Sequence, residues 1–155
     1  GLLEAQPRAL HVGIVVADLE ASVAHWTELL GLPESPRIML GAGHADNPTR
    51  YQGEPSEAQV RLAFFNLDNI QIELLSPYGE GASEWSDFLE RHGDGMHHLA
   101  FAVEGIGEVY VDRLAERGIK VAQQGGWDGG EYLYADTRKQ LGVTLELLEN
   151  YPREE

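Results

Sequence analysis

The sequence predicts an α+β fold in which two tandem βαβββ modules form a curved mixed sheet around a cavity. Apolar, strand-like runs begin at His11 and at His98. In both copies a glycine, Gly31 or Gly118, follows 20 residues later, and glycine commonly ends a helix. Each copy then closes with an apolar strand that carries one central glutamate, so the chain reads as a repeated unit.

The first module is predicted to occupy residues 8–78. A strand over residues 11–16 leads to Asp18, a residue type that caps helix N-termini. The helix that follows is indicated by apolar residues at helical spacing: Leu19, Val23, Trp26 and Leu30. Three further strands are expected, over residues 37–40, 60–66 and 70–75. Residues 41–58 are rich in Gly, Pro, Asn and Glu and are predicted to form a mobile surface loop.

The second module is predicted to occupy residues 95–150, after a linker helix over residues 82–92. Its helix is indicated by the apolar residues Ile106, Val109, Tyr110 and Leu114. Its strands are expected over residues 98–103, 119–123, 131–136 and 143–148. The glycine-rich residues 125–130 are predicted to be a hairpin loop beside the cavity, and residues 152–155 are expected to fray. The two modules together make one domain, residues 1–155.

Composition excludes several classes of function. The chain has 155 residues, with 11 Lys+Arg against 26 Asp+Glu and a formal net charge of −15. Such a charge disfavours nucleic acids and anionic membrane surfaces as partners. The sequence has no cysteine, which excludes disulfides, thiolate zinc sites and cysteine nucleophiles. We find no membrane-spanning run and no signal-peptide pattern, so a cytoplasmic protein is expected.

One histidine and one glutamate recur at corresponding positions in the two repeats. These residues are His11 and Glu73 in the first repeat and His98 and Glu146 in the second. A carboxylate between buried apolar neighbours needs a partner, because an isolated buried charge is costly. If the repeats pack about a pseudo-twofold axis, the four side chains converge. Two imidazoles and two carboxylates suit one divalent ion such as Co, Ni, Zn, Mn or Fe, so the predicted cavity is a metal-binding cavity.

Each of these residues also has a simpler interpretation. A lone histidine at a strand start is usually structural, and a lone glutamate within a strand often faces solvent. The repetition of both types in both copies favours the metal site. His97 competes with His98 for the ligand role, and since neighbours in a strand face opposite ways, only one can be the ligand. His98 is preferred because it matches His11 through the helix and glycine spacing.

At these residues the chain resembles the vicinal oxygen chelate superfamily, and within it the methylmalonyl-CoA epimerases and related glyoxalase-like proteins. The resemblance covers residues 10–150 and rests on four segments: His11 with its strand, and residues 72–77, 96–101 and 142–147. It implies paired βαβββ modules around a shared cavity, a divalent metal held by His11, Glu73, His98 and Glu146, and a homodimer. It also implies an isomerase that stabilises an enolate while carboxylates, here Glu146 and Glu73, move a proton.

The chain departs from the epimerase pattern in one strand. Epimerases of this kind carry an additional glutamate near the strand that precedes the Glu73 hairpin. Here that strand, residues 60–66, has no carboxylate; Arg61 stands in it and Glu57 lies upstream. Arg61 is expected to bind a substrate carboxylate or phosphate, the alternative being a surface arginine.

Three further residues are expected to contact substrate. Gln71 lies two residues from Glu73 on the same face and is either a donor at the site or a surface amide. Trp127 is expected to be a lid or wall, and Tyr134 is expected to line the cavity or the core. The resulting hypothesis is a metal-dependent epimerase acting on a small acyl-thioester or related carbonyl substrate. The alternatives are a glyoxalase-type lyase on the same scaffold and a non-catalytic protein that sequesters a ligand.

Overall fold

The described residues of the computed structural model, 1–4 and 6–152, form one mixed sheet of ten strands with four α-helices. The strands are β1 (Ala9–Val15), β2 (Met39–Gly41), β3 (Arg50–Tyr51), β4 (Glu54–Pro55), β5 (Gln59–Asn66), β6 (Gln71–Tyr78), β7 (Gly95–Ala102), β8 (Val121–Trp127), β9 (Gly130–Ala135) and β10 (Thr144–Asn150). The helices are α1 (Leu19–Leu29), α2 (Glu84–His92), α3 (Val111–Glu116) and α4 (Arg138–Leu141), and a π-helical turn, Ile106–Tyr110, leads into α3.

The order of strands shows the internal repeat. Across the sheet it is β2-β5-β6-β1-β7-β10-β9-β8-β3-β4. In each half the first strand pairs in parallel with the last one, β1 with β6 and β7 with β10. The halves join where β1 runs antiparallel to β7. The predicted α+β class and the curved mixed sheet built from two such units are confirmed.

Two apolar clusters hold helices against the outer face of the sheet. Asp18 caps α1 by accepting a hydrogen bond from the backbone N–H of Ala21 at 3.1 Å, as the sequence predicted. The helix then buries Leu19 and Val23 against side chains of β5 and β6. In the second half, the π-helical turn and α3 bury Leu114 and neighbouring residues against β9 and β10 in the same way.

A third cluster fills part of the concave face, and α2 contributes two aromatic side chains to it. Trp85 and Phe88 of α2 are buried beside Val15, Leu75 and Tyr134, which come from strands of both halves. The segment that connects the two repeats therefore contributes side chains to the core. None of the helices in the described ranges is long and apolar enough to cross a bilayer.

Most of residues 41–58 lie outside strands and are exposed, as predicted of a surface loop, but two short strands interrupt the segment. The segment contains β3 and β4, and β3 pairs with β8, so the segment crosses from the first half to the edge of the second. Thr49 is buried within it. The glycine-rich residues 125–130 also differ from the prediction, since Gly125, Gly126 and Trp127 belong to β8. The end of β8 was predicted as a loop because glycine is uncommon in strands.

Candidate metal centre

Four adjacent strands bring the repeated histidines and glutamates to one point on the concave face. In the register, Gly13 of β1 lies opposite both Glu73 and His98. Ala100 of β7 lies opposite both His11 and Glu146. These pairings form two rows of three residues across the sheet. In each row a small residue lies between the histidine of one half and the glutamate of the other half. The two rows are related by the pseudo-twofold arrangement of the halves.

Glycine at position 13 is a steric requirement of this arrangement. The imidazole ring of His98 lies directly over Gly13, and a Cβ atom added there would overlap the ring. The side chain of His98 can reach across β1 toward Glu73 only because this position carries no side chain. This role of Gly13 is visible in the structure but not in the sequence pattern.

The four side chains approach one another through one atom each. His11 Nε2 lies 2.9 Å from Glu146 Oε1, 3.3 Å from Glu73 Oε1 and 3.1 Å from His98 Nε2. His98 Nε2 lies 3.2 Å from the Oε1 atom of each glutamate. All four atoms lie within 4.8 Å of one another. Both imidazoles thus present Nε2, and both carboxylates present Oε1, to a common centre.

These separations fit a divalent ion. Donor atoms held at about 2.1 Å from one ion lie about 3.0–3.4 Å apart in octahedral or tetrahedral coordination. The observed distances between neighbouring donor atoms, 2.9–3.3 Å, correspond to that spacing. Two imidazole nitrogens and two carboxylate oxygens form a donor set that suits Co, Ni, Zn, Mn or Fe. The residues present can therefore hold such an ion.

Burial makes the charges at this centre strongly interdependent. Among the described residues, Glu73 and Glu146 are the only buried carboxylates. Burial alone would raise the pKa of Glu146, but the charge and hydrogen bonds of His98 and His11 outweigh it and lower the pKa to about 2. Burial alone would lower the pKa of His11, but the two glutamates outweigh it and raise the pKa to about 10. Two buried carboxylates therefore demand positive charge, which protons or a metal ion can supply.

His97 lies beside the centre although strand alternation predicts that it faces away. The pairing of β1 with β7 shifts register between Gly13 and Ile14, where His98 and Met96 are the successive partners, and this leaves His97 in a bulge. Its Nδ1 atom lies 2.8 Å from Nδ1 of His98. The premise that His97 and His98 face opposite sides of the sheet therefore fails at this bulge. His98 is nevertheless the one whose Nε2 meets the other three donors.

Of the four residues expected to contact substrate, Tyr134 packs directly against a donor residue, His98. Its ring centroid lies 5.0 Å from that of His98, and it pairs across the sheet with Glu146. Its hydroxyl accepts a hydrogen bond from Trp85 Nε1 at 3.0 Å. Burial raises the pKa of Tyr134, so this hydroxyl stays neutral. Tyr134 forms a wall behind His98.

Arg61 does not reach the centre. Phe64 of β5 contacts the ring of His11 and so faces the concave side, whereas Arg61, three residues earlier, lies on the opposite face. There its guanidinium forms an ion pair with Glu20 of α1. The expectation that Arg61 binds substrate at this site is not supported by its position, because strand alternation directs it to the helix.

Gln71 pairs in register with His11, whereas Trp127 and Glu57 lie apart from the four donors. Gln71 shares the face of Glu73, but its amide donates to Asn66 Oδ1 at 2.7 Å near the end of the hairpin. Trp127 pairs with Gly130 at the far end of β8, and its ring lies over the β8–β9 turn. Glu57 lines a surface cavity of about 840 Å³ that none of the four donors lines.

Comparison with known proteins agrees with this description. The family model of the glyoxalase/bleomycin resistance protein/dioxygenase superfamily matches residues 10–135. The ethylmalonyl-CoA/methylmalonyl-CoA epimerase of Cereibacter sphaeroides is 36% identical over 145 residues, which cover 90% of this chain and 96% of that protein. The human mitochondrial methylmalonyl-CoA epimerase is 29% identical, over 90% of this chain and 72% of its own length.

Solved structures share the fold. A hypothetical protein from Bacillus halodurans superposes with a TM-score of 0.66 at 24% identity, covering 97% of this chain and 99% of that one. A variant of the Streptomyces coelicolor methylmalonyl-CoA epimerase in complex with 2-nitronate-propionyl-CoA has a TM-score of 0.60 at 22% identity, covering 94% and 98%. The matching family model and the similarity to the Cereibacter sphaeroides protein confirm the resemblance: the chain belongs to the glyoxalase/bleomycin resistance protein/dioxygenase superfamily.

Proposed function

We propose that this chain is a divalent-metal-dependent epimerase that moves a proton at the carbon next to the carbonyl group of an acyl-thioester. The observation that carries this proposal is the convergence of two imidazoles and two carboxylates at one buried point. The substrate class is taken from the relatives, whose names describe epimerases of acyl-CoA thioesters. A homodimer and a cytoplasmic location stay predictions.

His11, Glu73, His98 and Glu146 would hold the ion through the four atoms that already face one another. A bound divalent ion would stabilise the negative charge that develops on the carbonyl oxygen when the neighbouring carbon loses a proton. The protein contributes the orientation of the four donors and a surrounding wall of apolar and aromatic side chains. Phe64 and Tyr134 belong to that wall, since their rings contact those of His11 and His98.

The same two carboxylates are proposed to carry the proton. Within the described residues, the contacts of Glu73 and Glu146 with the histidines use Oε1 in both cases. Oε2 of each carboxylate is therefore available for proton transfer. Since the two glutamates belong to different halves of the sheet, one can take a proton and the other can return it to the opposite side of the carbon, as inversion requires.

Glyoxalase-type lyase chemistry on the same scaffold is the second candidate, and one observation favours it. The strand β5 presents the apolar Phe64 to the centre, and Leu62, two residues before Phe64, shares that face. The described part of β5 thus offers the site no carboxylate in addition to Glu73 and Glu146. Isomerisation of a thiohemiacetal can also proceed with only the two carboxylates at the centre, so this lining fits glyoxalase-type chemistry.

The proposal is tested by hydrogen exchange in D₂O. Purified protein loaded with Co²⁺ is incubated with methylmalonyl-CoA, and deuterium at the α carbon is followed by mass spectrometry. We expect exchange in the wild type and a loss of about 10²- to 10⁴-fold in E146Q, because the variant lacks a carboxylate that serves as proton carrier and metal ligand. Glu116 of α3 is exposed, so E116Q is a control with the same chemical change and should exchange normally.

Two results would contradict this proposal. Binding of the thioester without exchange would indicate a ligand-sequestering protein. Exchange that is unaffected by both E146Q and E73Q would remove the two carboxylates from the mechanism. A lyase would be indicated instead by isomerisation of a thiohemiacetal substrate under conditions in which methylmalonyl-CoA does not exchange.

A further inference from the structure

The ring of His98 has two nitrogen atoms in different surroundings. Nε2 faces the three other donors of the centre, as described above. Nδ1 points away from them and lies 2.8 Å from Nδ1 of His97. A neutral imidazole has a hydrogen on one nitrogen and a lone pair on the other. If Nε2 is to bind a metal, the hydrogen of His98 must be on Nδ1, which then donates to His97.

The same argument assigns the tautomer of His97. When Nδ1 of His97 accepts the hydrogen bond from His98, its own hydrogen must be on Nε2. This Nε2 atom is buried and has no hydrogen-bond partner among the described residues. Glu84 Oε1 lies 3.5 Å from it, slightly longer than a hydrogen bond. A small approach of the Glu84 side chain would satisfy the orphaned N–H group.

The surroundings hold His97 and Glu84 in these positions. Arg138 Nη2 donates to the carbonyl oxygens of His97 at 3.0 Å and of Met96 at 3.3 Å, which fixes the backbone of the bulge. Glu84 begins α2, where the helix dipole favours a carboxylate. Its backbone N–H donates to Gln123 Oε1 at 2.7 Å, which anchors the start of the helix.

We propose that His97 and Glu84 are positioning residues that orient His98 and hold it in the tautomer required of a metal ligand. In this arrangement His98 Nδ1–H donates a hydrogen bond to His97 Nδ1, and His97 Nε2–H donates to the Glu84 carboxylate. This inference rests on the proposed metal centre. Partners of this kind on the outer nitrogen of a ligating histidine typically contribute about 10- to 100-fold to metal affinity.

The test is Co²⁺ affinity, measured by competition with a fluorescent chelator. H97F removes the acceptor while keeping an aromatic ring, and we expect it to weaken Co²⁺ binding about 10- to 100-fold. H97N places an amide oxygen near the position of Nδ1, so its affinity should stay within about threefold of the wild type. E84A should weaken binding about 3- to 10-fold, whereas E90A, a control for loss of an exposed carboxylate on the same helix, should have no effect.

The outcomes separate this inference from the function on which it rests. If the wild type binds no Co²⁺, both fail. If the wild type binds Co²⁺ and H97F binds equally well, or if H97N is as weak as H97F, the positioning role is wrong and the metal centre stands. Circular dichroism checks folding, and if H97F does not fold, equal affinities of E84A and E90A would overturn the inference.

Discussion

The convergence of the four donors depends on small residues between them. Gly13 and Ala100 lie in the rows that join each histidine to a glutamate, and the ring of His98 occupies the space above Gly13. A larger residue there would turn His98 away from the centre. The glycine therefore belongs to the site although it has no functional group.

We expect G13A to weaken Co²⁺ binding at least about tenfold, because the added Cβ displaces a metal ligand. Gly107 offers a matched control, since a Cβ added there meets nothing within 4 Å. G107A should bind Co²⁺ as the wild type does. Equal affinities for G13A and the wild type would show that the close approach of His98 to β1 is not needed.

Metal affinity should depend on pH, and the direction follows from His11. The two glutamates raise the pKa of His11 to about 10, so at pH 7 its ring carries a proton that must leave before Nε2 can bind a metal. We expect Co²⁺ affinity to rise at least about tenfold per pH unit between pH 6 and 8. Chelator competition across this range measures it, and a flat profile would contradict the charge assignment.

Residue spacing located the donors, but it could not describe their surroundings. The match of His98 with His11 selected the histidine whose Nε2 faces the other donors. The placement of His97 could not be predicted, because the bulge that turns it arises from pairing between β1 and β7 and leaves no local signal. Arg61 lies on the face of β5 opposite to Phe64, a placement that follows from strand alternation once one residue of the strand is oriented.

At the scale of elements, local patterns predicted α1, α2, α3 and most of the long strands, but not the short helix α4 or the pairings between distant strands. The strand expected over residues 60–66 is observed as β5, Gln59–Asn66. The short strand β3 has only two residues, Arg50 and Tyr51, and exists because β8 lies beside it. Nothing within residues 41–58 could indicate a partner about 70 residues away in the chain.

The helix α2, which the sequence predicted as a linker, contributes large side chains to the core. Trp85 is buried on the concave face, where its ring packs against Tyr132 and Tyr134. We expect W85A to lower the free energy of unfolding by about 3–5 kcal/mol, measured by urea denaturation. Trp127 is only partly buried at the end of a hairpin, so W127A should lower the free energy of unfolding clearly less than W85A does. Equal losses in the two variants would show that α2 is peripheral.

At the scale of the whole molecule, each half supplies one histidine and one glutamate, so a bound ion would tie the halves together. Binding to the folded state alone stabilises it by about 2.7 kcal/mol at a free metal concentration of 100 Kd. We expect Co²⁺ to raise the thermal unfolding midpoint of the wild type and to leave that of E146A unchanged. A shift of the same size in both proteins would indicate binding elsewhere on this acidic chain.

Metal content per chain tests the central claim most directly. Wild-type protein, H98A and E146A are loaded with Co²⁺, freed of excess ion by gel filtration and analysed for cobalt, with circular dichroism to confirm folding. The proposed centre predicts about one ion per wild-type chain and almost none in either folded variant, since each lacks one of four ligands. One ion per chain in all three proteins would contradict the centre formed by His11, Glu73, His98 and Glu146.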